Sequence, residues 1–246
     1  MELLIYIAVG FVAQIIDGAL GMSYGVSSTA FLLSTGVPAP VASASVHTAE
    51  IFTSLVSGLS HLRLGNVDRA LVKRLLIPGV AGGITGAYLL SNFDWPGLKV
   101  LIALYLLIMG LRILIKAFVA DPPRPALTGS RLVGFAGGLI DAIGGGGWGT
   151  IVNGTLLSNG GHASTTIGSV NLVEFFVTVA QVTTFTVFLR LENWQPILGL
   201  ILGGVISAPF AAILLHKVNT RVLMAAVGVL IILLSLRTLW MSLLGG

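Results

Sequence analysis

The sequence predicts an all-α polytopic membrane protein of about eight transmembrane helices, built as two homologous four-segment repeats. In this reading a glycine-rich stretch breaks the first helix of each repeat. Three observations carry the expectation. Apolar residues make up 55% of the chain and charged residues 9%, whereas a soluble domain carries roughly 25% charged residues. That leaves too little charge to coat a surface facing water. Long apolar runs recur along the whole length. The second half also repeats the first at a fixed offset.

The apolar segments run Leu3–Leu20 continuing into Val26–Leu33, then Pro38–Leu62, Leu71–Leu90, Trp95–Phe118, Leu132–Leu157, Ala163–Leu189, Trp194–Leu215 and Val218–Leu239. Each approaches the ~20 residues that a helix needs to cross a bilayer. Met1-Glu2-Leu3-Leu4 has no basic n-region, so the first run is expected to be a retained helix. The proline-rich stretch Ala120-Asp121-Pro122-Pro123-Arg124-Pro125 divides the chain into a first repeat (1–119), a linker (120–130) and a second repeat (131–246). Trp95, Trp194 and Trp240 fall at segment ends, as interfacial anchors do.

Sliding the second half by 124 positions superposes Gly10-Phe11 on Gly134-Phe135 and Ile16-Asp17 on Ile140-Asp141. It also pairs Gly21 with Gly145, Gly25 with Gly149, Ser45-Val46 with Ser169-Val170, and Glu50 with Glu174. Matched polar residues carry more weight than matched leucines, which composition supplies by chance. Four segments per half is an even number, so both halves are expected to enter the membrane in the same direction, as parallel repeats. One side then receives Arg63, Arg69, Lys73, Arg74, Arg112, Lys116, Arg124, Arg131, Arg190 and Arg237, and the other Lys99, Lys217 and Arg221. That asymmetry predicts cytoplasmic termini in the cell membrane. A rival arrangement makes each broken first segment a re-entrant hairpin and inverts the repeats. It is disfavoured here on the expectation that it would put the Arg63–Arg74 and Arg112–Arg131 loops on opposite sides.

The interruptions read Asp17-Gly18-Ala19-Leu20-Gly21-Met22-Ser23-Tyr24-Gly25 and Asp141-Ala142-Ile143-Gly144-Gly145-Gly146-Gly147-Trp148-Gly149. Each glycine costs a helix about 1 kcal/mol against alanine. Non-helical backbone at membrane depth survives only where protein buries it or water reaches it. Its exposed N–H groups attract anions. Gly21, Ser23, Tyr24, Gly25, Gly145, Gly146, Gly147 and Trp148 are therefore candidate substrate-binding residues, with His47 and Asn171 beside them. The alternative is close helix packing through small residues, which also suits Gly79, Gly82, Gly83, Gly86, Gly203 and Gly204. Asp17 and Asp141 are expected to support the breaks by accepting N–H bonds.

Glu50 and Glu174 sit mid-segment, where a charge costs at least about 2.5–3.5 kcal/mol, so each should face the interior. His47 precedes Glu50 by one helical turn and Asn171 precedes Glu174 likewise, on shared faces. Ser43, Ser54 and Thr178 extend those stripes. The two carboxylates are candidate proton-coupling or pathway residues; the alternative is a pair of helix staples.

Several classes are excluded. Gly21-Met22-Ser23-Tyr24-Gly25 has the G-x-S-x-G form, but it lies in apolar helix text, and Gly147 stands at the matching place in half two. No catalytic residues, cofactor or metal site are expected, and His61, His162 and His216 have no ligand spacing. The pI of 9.8 reflects topology, not nucleic-acid binding. The chain has no cysteine.

The stretches Gly10–Gly21, Val41–Glu50 and Ile140–Gly149 resemble the sulfite exporter TauE/SafE family along nearly the whole chain. The resemblance implies a plasma-membrane permease for a small sulfur-containing anion such as sulfite or an organosulfonate. A co-transported proton and a homo-oligomer are compatible partners. Met22-Ser23-Tyr24 departs from the family's glycine-richer form. An anion channel and a structural membrane subunit remain the other classes, and saturable, gradient-coupled flux separates them.

Overall fold

The computed structural model describes residues 2–20, 22–93, 97–119, 130–158, 163–189, 194–214 and 220–244. Gly21, Trp95, His162, His216 and nearly all of the linker lie outside the described residues. Those described form helices and no strand. The order is α1 (Glu2–Leu20), α2 (Tyr24–Ser34), α3 (Ala39–Arg63), α4 (Arg69–Asn92), α5 (Leu98–Phe118) and α6 (Ser130–Gly144). A π turn (Gly149–Asn153) leads into α7 (Gly154–Ser158), followed by α8 (Ala163–Phe188), α9 (Gln195–Leu214) and α10 (Thr220–Leu244).

Local chemistry sets the boundaries. Pro38 and Pro40 pre-set the first turn of α3. The Asp68 carboxylate caps α4 by accepting N–H bonds from Ala70 (2.8 Å) and Leu71 (3.3 Å). Among the described residues, four helices are long and apolar enough to cross a membrane: α4, α5, and most of α8 and α10. Their outer faces are bare and greasy, as at Leu101, Ile108 and Ile115 on α5 and Leu230, Leu233 and Leu236 on α10. Such faces suit lipid rather than water.

The direction of each helix can be read from its contacts. Gly134 packs on Leu75, and Gly86 on Leu139 and Ala142, so α6 runs parallel to α4. The Asp68 N–H donates to Ser169 Oγ at 2.8 Å, while Gly79 meets Val177 and Gly83 meets Gln181. Thus α8 also runs with α4. Against α3 the sense reverses: Asn171 Nδ2 donates to Ser57 Oγ at 2.9 Å, whereas His61, later in α3, rests on Gly168, earlier in α8. Likewise Gly110 packs on Ile231 and Gly228 on Leu114, so α5 and α10 are antiparallel. Gly199 meets Tyr6 and Gly203 meets Phe11, which sets α1 parallel to α9.

These directions correct the parallel, eight-span expectation. Helices that the 124-residue offset equates, α3 with α8 and α5 with α10, run in opposite senses. The broken first segments do not continue across. In a straight helix Gly137 and Val152 would stand roughly 22 Å apart, yet a Cβ on Gly137 would lie 2.5 Å from Val152 Cγ2. The arm after the second break therefore folds back beside α6. Ser27 and Phe31 of α2 line one cavity with Val9 and Ala13 of α1, the same reversal.

The charge argument is corrected too. Only α4 and α5 separate the Arg63–Arg74 stretch from Arg112, so both lie on one side in either arrangement. In the observed one, Arg63, Arg69, Lys73, Arg74, Arg112, Lys116, Arg131 and Arg221 share that side, and Lys99 and Arg237 lie opposite. The basic bias is preserved, but Glu2 and Leu244 now end on the side away from it. The cytoplasmic termini expected from the sequence do not follow.

Because the chain lacks cysteine, single replacements report sidedness cleanly. Arg69→Cys and Leu243→Cys should react with a membrane-impermeant thiol reagent from opposite faces of the membrane. Labelling of both from one face contradicts the inverted arrangement.

Candidate functional site

The two breaks meet at the centre of the molecule. A Cβ on Gly25 would stand 2.6 Å from Gly146 Cα and 2.7 Å from Glu50 Oε1, so backbone from both hairpins and one carboxylate share a space that admits no side chain. The second break is held in left-handed geometry: φ is +71° at Gly145, +133° at Gly146 and +139° at Gly147. Glycine alone takes up such a run without steric cost. Under the repeat offset Ser23 replaces Gly147, and it too has positive φ, 103°.

Each break is anchored by the aspartate that precedes it. Asp141 Oδ1 accepts the N–H of Trp148 at 2.8 Å. Asp17 Oδ1 accepts that of Tyr24, at the matching position seven residues on, at 3.3 Å. The Gly146 N–H donates back to Asp141 O at 2.9 Å within the same segment. Neighbouring helices supply further ties: Tyr105 Oη donates to Gly146 O at 3.1 Å. Thr29 Oγ1 donates to Gly145 O, and Ser43 Oγ to Ala142 O at 2.6 Å.

Beyond those aspartates the two halves differ. Asp141 Oδ2 accepts from Gln181 Nε2 at 2.8 Å and faces His47 Nε2 at 3.1 Å. His47 is fully buried. Its Nδ1 lies 2.7 Å from Ser43 O, which can only accept, so Nδ1 carries a hydrogen. A bond at Nε2 then needs one further proton, on the ring or on the carboxyl. Glu50 Oε2 lies 3.9 Å from the same Nε2. In the other half, Asn171 and Ser57 stand where the offset places His47 and Gln181. They bond each other at 2.9 Å and leave Asp17 with the Tyr24 N–H. Glu50 lies within electrostatic reach of Glu174, Asp17 and Asp141, and Glu174 within reach of both aspartates.

The candidate aromatic residues point elsewhere. Trp148 is 1% exposed and donates its indole N–H to Val170 O at 3.1 Å. Tyr24 is 3% exposed, with its hydroxyl on Leu200 O at 3.2 Å. Glu174 is half-buried, and its carbonyl accepts from Thr178 Oγ1. The structure adds residues that sequence reasoning did not single out. Gln181 and Tyr105 reach the second break from α8 and α5. Ser27, Ser28, Thr150 and Asn153 are buried behind the breaks. The hydroxyls of Ser23, Ser27, Ser28 and Thr150, and both amide atoms of Asn153, have no hydrogen-bond partner among the described residues. Such groups are rare in folded proteins and call for a ligand or water. Their signal was present as polar residues spaced along apolar segments. Among the glycines read as packing residues, Gly79, Gly82, Gly83, Gly86 and Gly203 are closed off by a neighbouring helix, whereas Gly204 has room for a methyl group.

Residues 6–238 match the family model described as sulfite exporter TauE/SafE. The chain is also 39% identical over 250 residues to the probable membrane transporter protein YtnM of Bacillus subtilis (strain 168), covering 97% of this chain and 83% of that protein. No solved structure matches.

The left-handed Ser23 generates a stability test. An alanine there keeps the Cβ strain and a glycine removes it, a difference of about 1 kcal/mol. Ser23→Gly should therefore unfold at a higher temperature in detergent than Ser23→Ala. Equal midpoints would show that the backbone relaxes and that position 23 holds no strain.

Proposed function

This chain belongs to the sulfite exporter TauE/SafE family and is a membrane transporter, and we propose that it is a secondary transporter for a small sulfur oxyanion or organosulfonate. Transport proceeds by alternating access at two crossed hairpins, one from each of two inverted repeats (1–119 and 131–246), within the cell membrane. The basic side faces the cytoplasm. The observation that carries this reading is the crossing of Gly25 and Gly146, flanked by buried, unpartnered hydroxyls and an amide. Paired broken segments at membrane depth are a recurrent way to build a transport site. Hydroxyls and an amide can donate to an oxyanion that reaches them. The family's printed description, a sulfite exporter, supports the sulfur-containing class.

The carboxyls add a constraint. An anion approaching Glu50, Glu174, Asp17 and Asp141 is repelled by each one that is ionised, and His47 is the one base inside the cluster among the described residues. A proton on Glu50 or Glu174 removes part of that repulsion and travels with the anion. Net charge matters for direction as well, since an anion crossing alone changes energy by about 2.3 kcal/mol per 100 mV.

Replacing Gly146 with leucine should abolish sulfite flux into proteoliposomes while the protein still inserts and purifies. Gly25→Ala should cut flux at least tenfold, because the methyl group would press on the Gly146 backbone and the Glu50 carboxyl and force the two hairpins apart. Undiminished flux in both variants would return these glycines to a packing role.

Glutamine at Glu50 or Glu174 keeps size and hydrogen bonding but removes titration. Glu50→Gln or Glu174→Gln should flatten the pH profile of flux and leave substrate binding largely intact. An unchanged profile in both single variants and the double variant rules out a coupling role for these carboxyls.

A further inference from the structure

Arg112 and Lys116 lie one turn apart near the end of α5, outside the site described above. Between them and the hairpins is a cavity of about 130 Å³. Met22, from the first break, forms part of its wall, and Thr150 and Gly154, from the returning arm of the second hairpin, form another part. Thr150 is 8% exposed, and its hydroxyl has no hydrogen-bond partner among the described residues. The cavity therefore touches both hairpins.

A second cavity, of about 340 Å³, lies between α1, α2 and α10. Among the described residues Ser27 is its one polar lining residue, and no cation lines it. The first cavity offers what an anion needs, and the second what a hydrocarbon chain needs. The repeat offset puts Leu236 and Trp240 where Arg112 and Lys116 stand. The cation pair thus belongs to one half and to one side of the membrane.

We propose that this cavity is the loading site for a small oxyanion on the side of the basic loops. Arg112 and Lys116 draw the anion in, and the Thr150 hydroxyl receives it on the way to the hairpin crossing. The inference rests on the transport reading. A cleft lined by one sign of charge raises the local concentration of its counter-ion, and its loss appears in the apparent affinity.

The test measures sulfite flux in everted and right-side-out membrane vesicles carrying the full chain. Arg112→Gln, Lys116→Gln and the double variant are compared with wild type, with Arg112→Lys as the charge-retaining control. The double variant should raise KM about tenfold when sulfite enters from the basic side, and leave KM from the other side and the maximal rate near wild type. Arg112→Lys should stay close to wild type, which also shows that the chain folds with that position altered. No KM shift, or an equal shift from both sides, overturns the loading site while leaving the transporter reading intact. Purified protein in phosphatidylcholine vesicles, with and without phosphatidylglycerol, separates the two sources of an oxyanion. The same KM shift in both supports loading of the soluble anion. A shift confined to phosphatidylglycerol vesicles assigns the pair to a lipid headgroup and overturns the proposal. Absence of wild-type flux for both sulfite and a small organosulfonate removes the transport reading and this inference with it.

Discussion

Backbone that leaves the helix inside a membrane must find its hydrogen-bond partners within the protein, because lipid offers none. Asp17 and Asp141 meet that demand at the two breaks. Each accepts the first N–H of the arm that follows its break, seven residues on. Once those arms are fixed, the rest is constrained. The reversals of α1 into α2 and of α6 into the π turn bring Gly25 and Gly146 face to face. Only glycine lets two backbones approach so closely beside the Glu50 carboxyl. Tyr105, Thr29 and Ser43 then tie the second break to α5, α2 and α3.

The symmetry proposed for the two halves is broken where chemistry would be coupled to it. Asp141 is gripped by Gln181 and His47, and the contact with His47 needs a shared proton. At the matching place Asn171 and Ser57 satisfy one another and leave Asp17 with the Tyr24 N–H. In the proposed transporter the two hairpins are then unequal partners: the aspartate of one is tied to Gln181 and His47 from two other helices, and that of the other is not tied in this way. The cations Arg112 and Lys116 add to the inequality, since they flank the cavity on one side only.

Composition and apolar runs made the helical, membrane-embedded class legible, and the glycine text marked where helices stop. Direction was not legible, because α4 and α5 separate the basic loops by two crossings whichever way the second half runs. The fold-back of each first segment depends on contacts such as Gly137 against Val152, which no periodicity encodes. At the site, His47 and Glu50 could be paired from their spacing on one helix. Gln181 and Tyr105 could not, since they reach Asp141 and Gly146 from separate helices. Trp148 read as a site residue from its place in the break, yet its ring turns away to Val170 and packs in the core. A residue's place along the chain fixes where its backbone passes, while its neighbours decide where the side chain goes.

The central claim is that the anion binds beside the hairpin crossing, against the buried hydroxyls that flank it. Selenite has the shape and charge of sulfite and carries an anomalous scatterer. A crystal structure of the protein with selenite bound tests the claim directly. The account predicts a selenium peak beside the Gly25–Gly146 crossing, within hydrogen-bond reach of the Ser28 hydroxyl. A selenium peak at another depth, with the crossing closed by packed side chains, would contradict it.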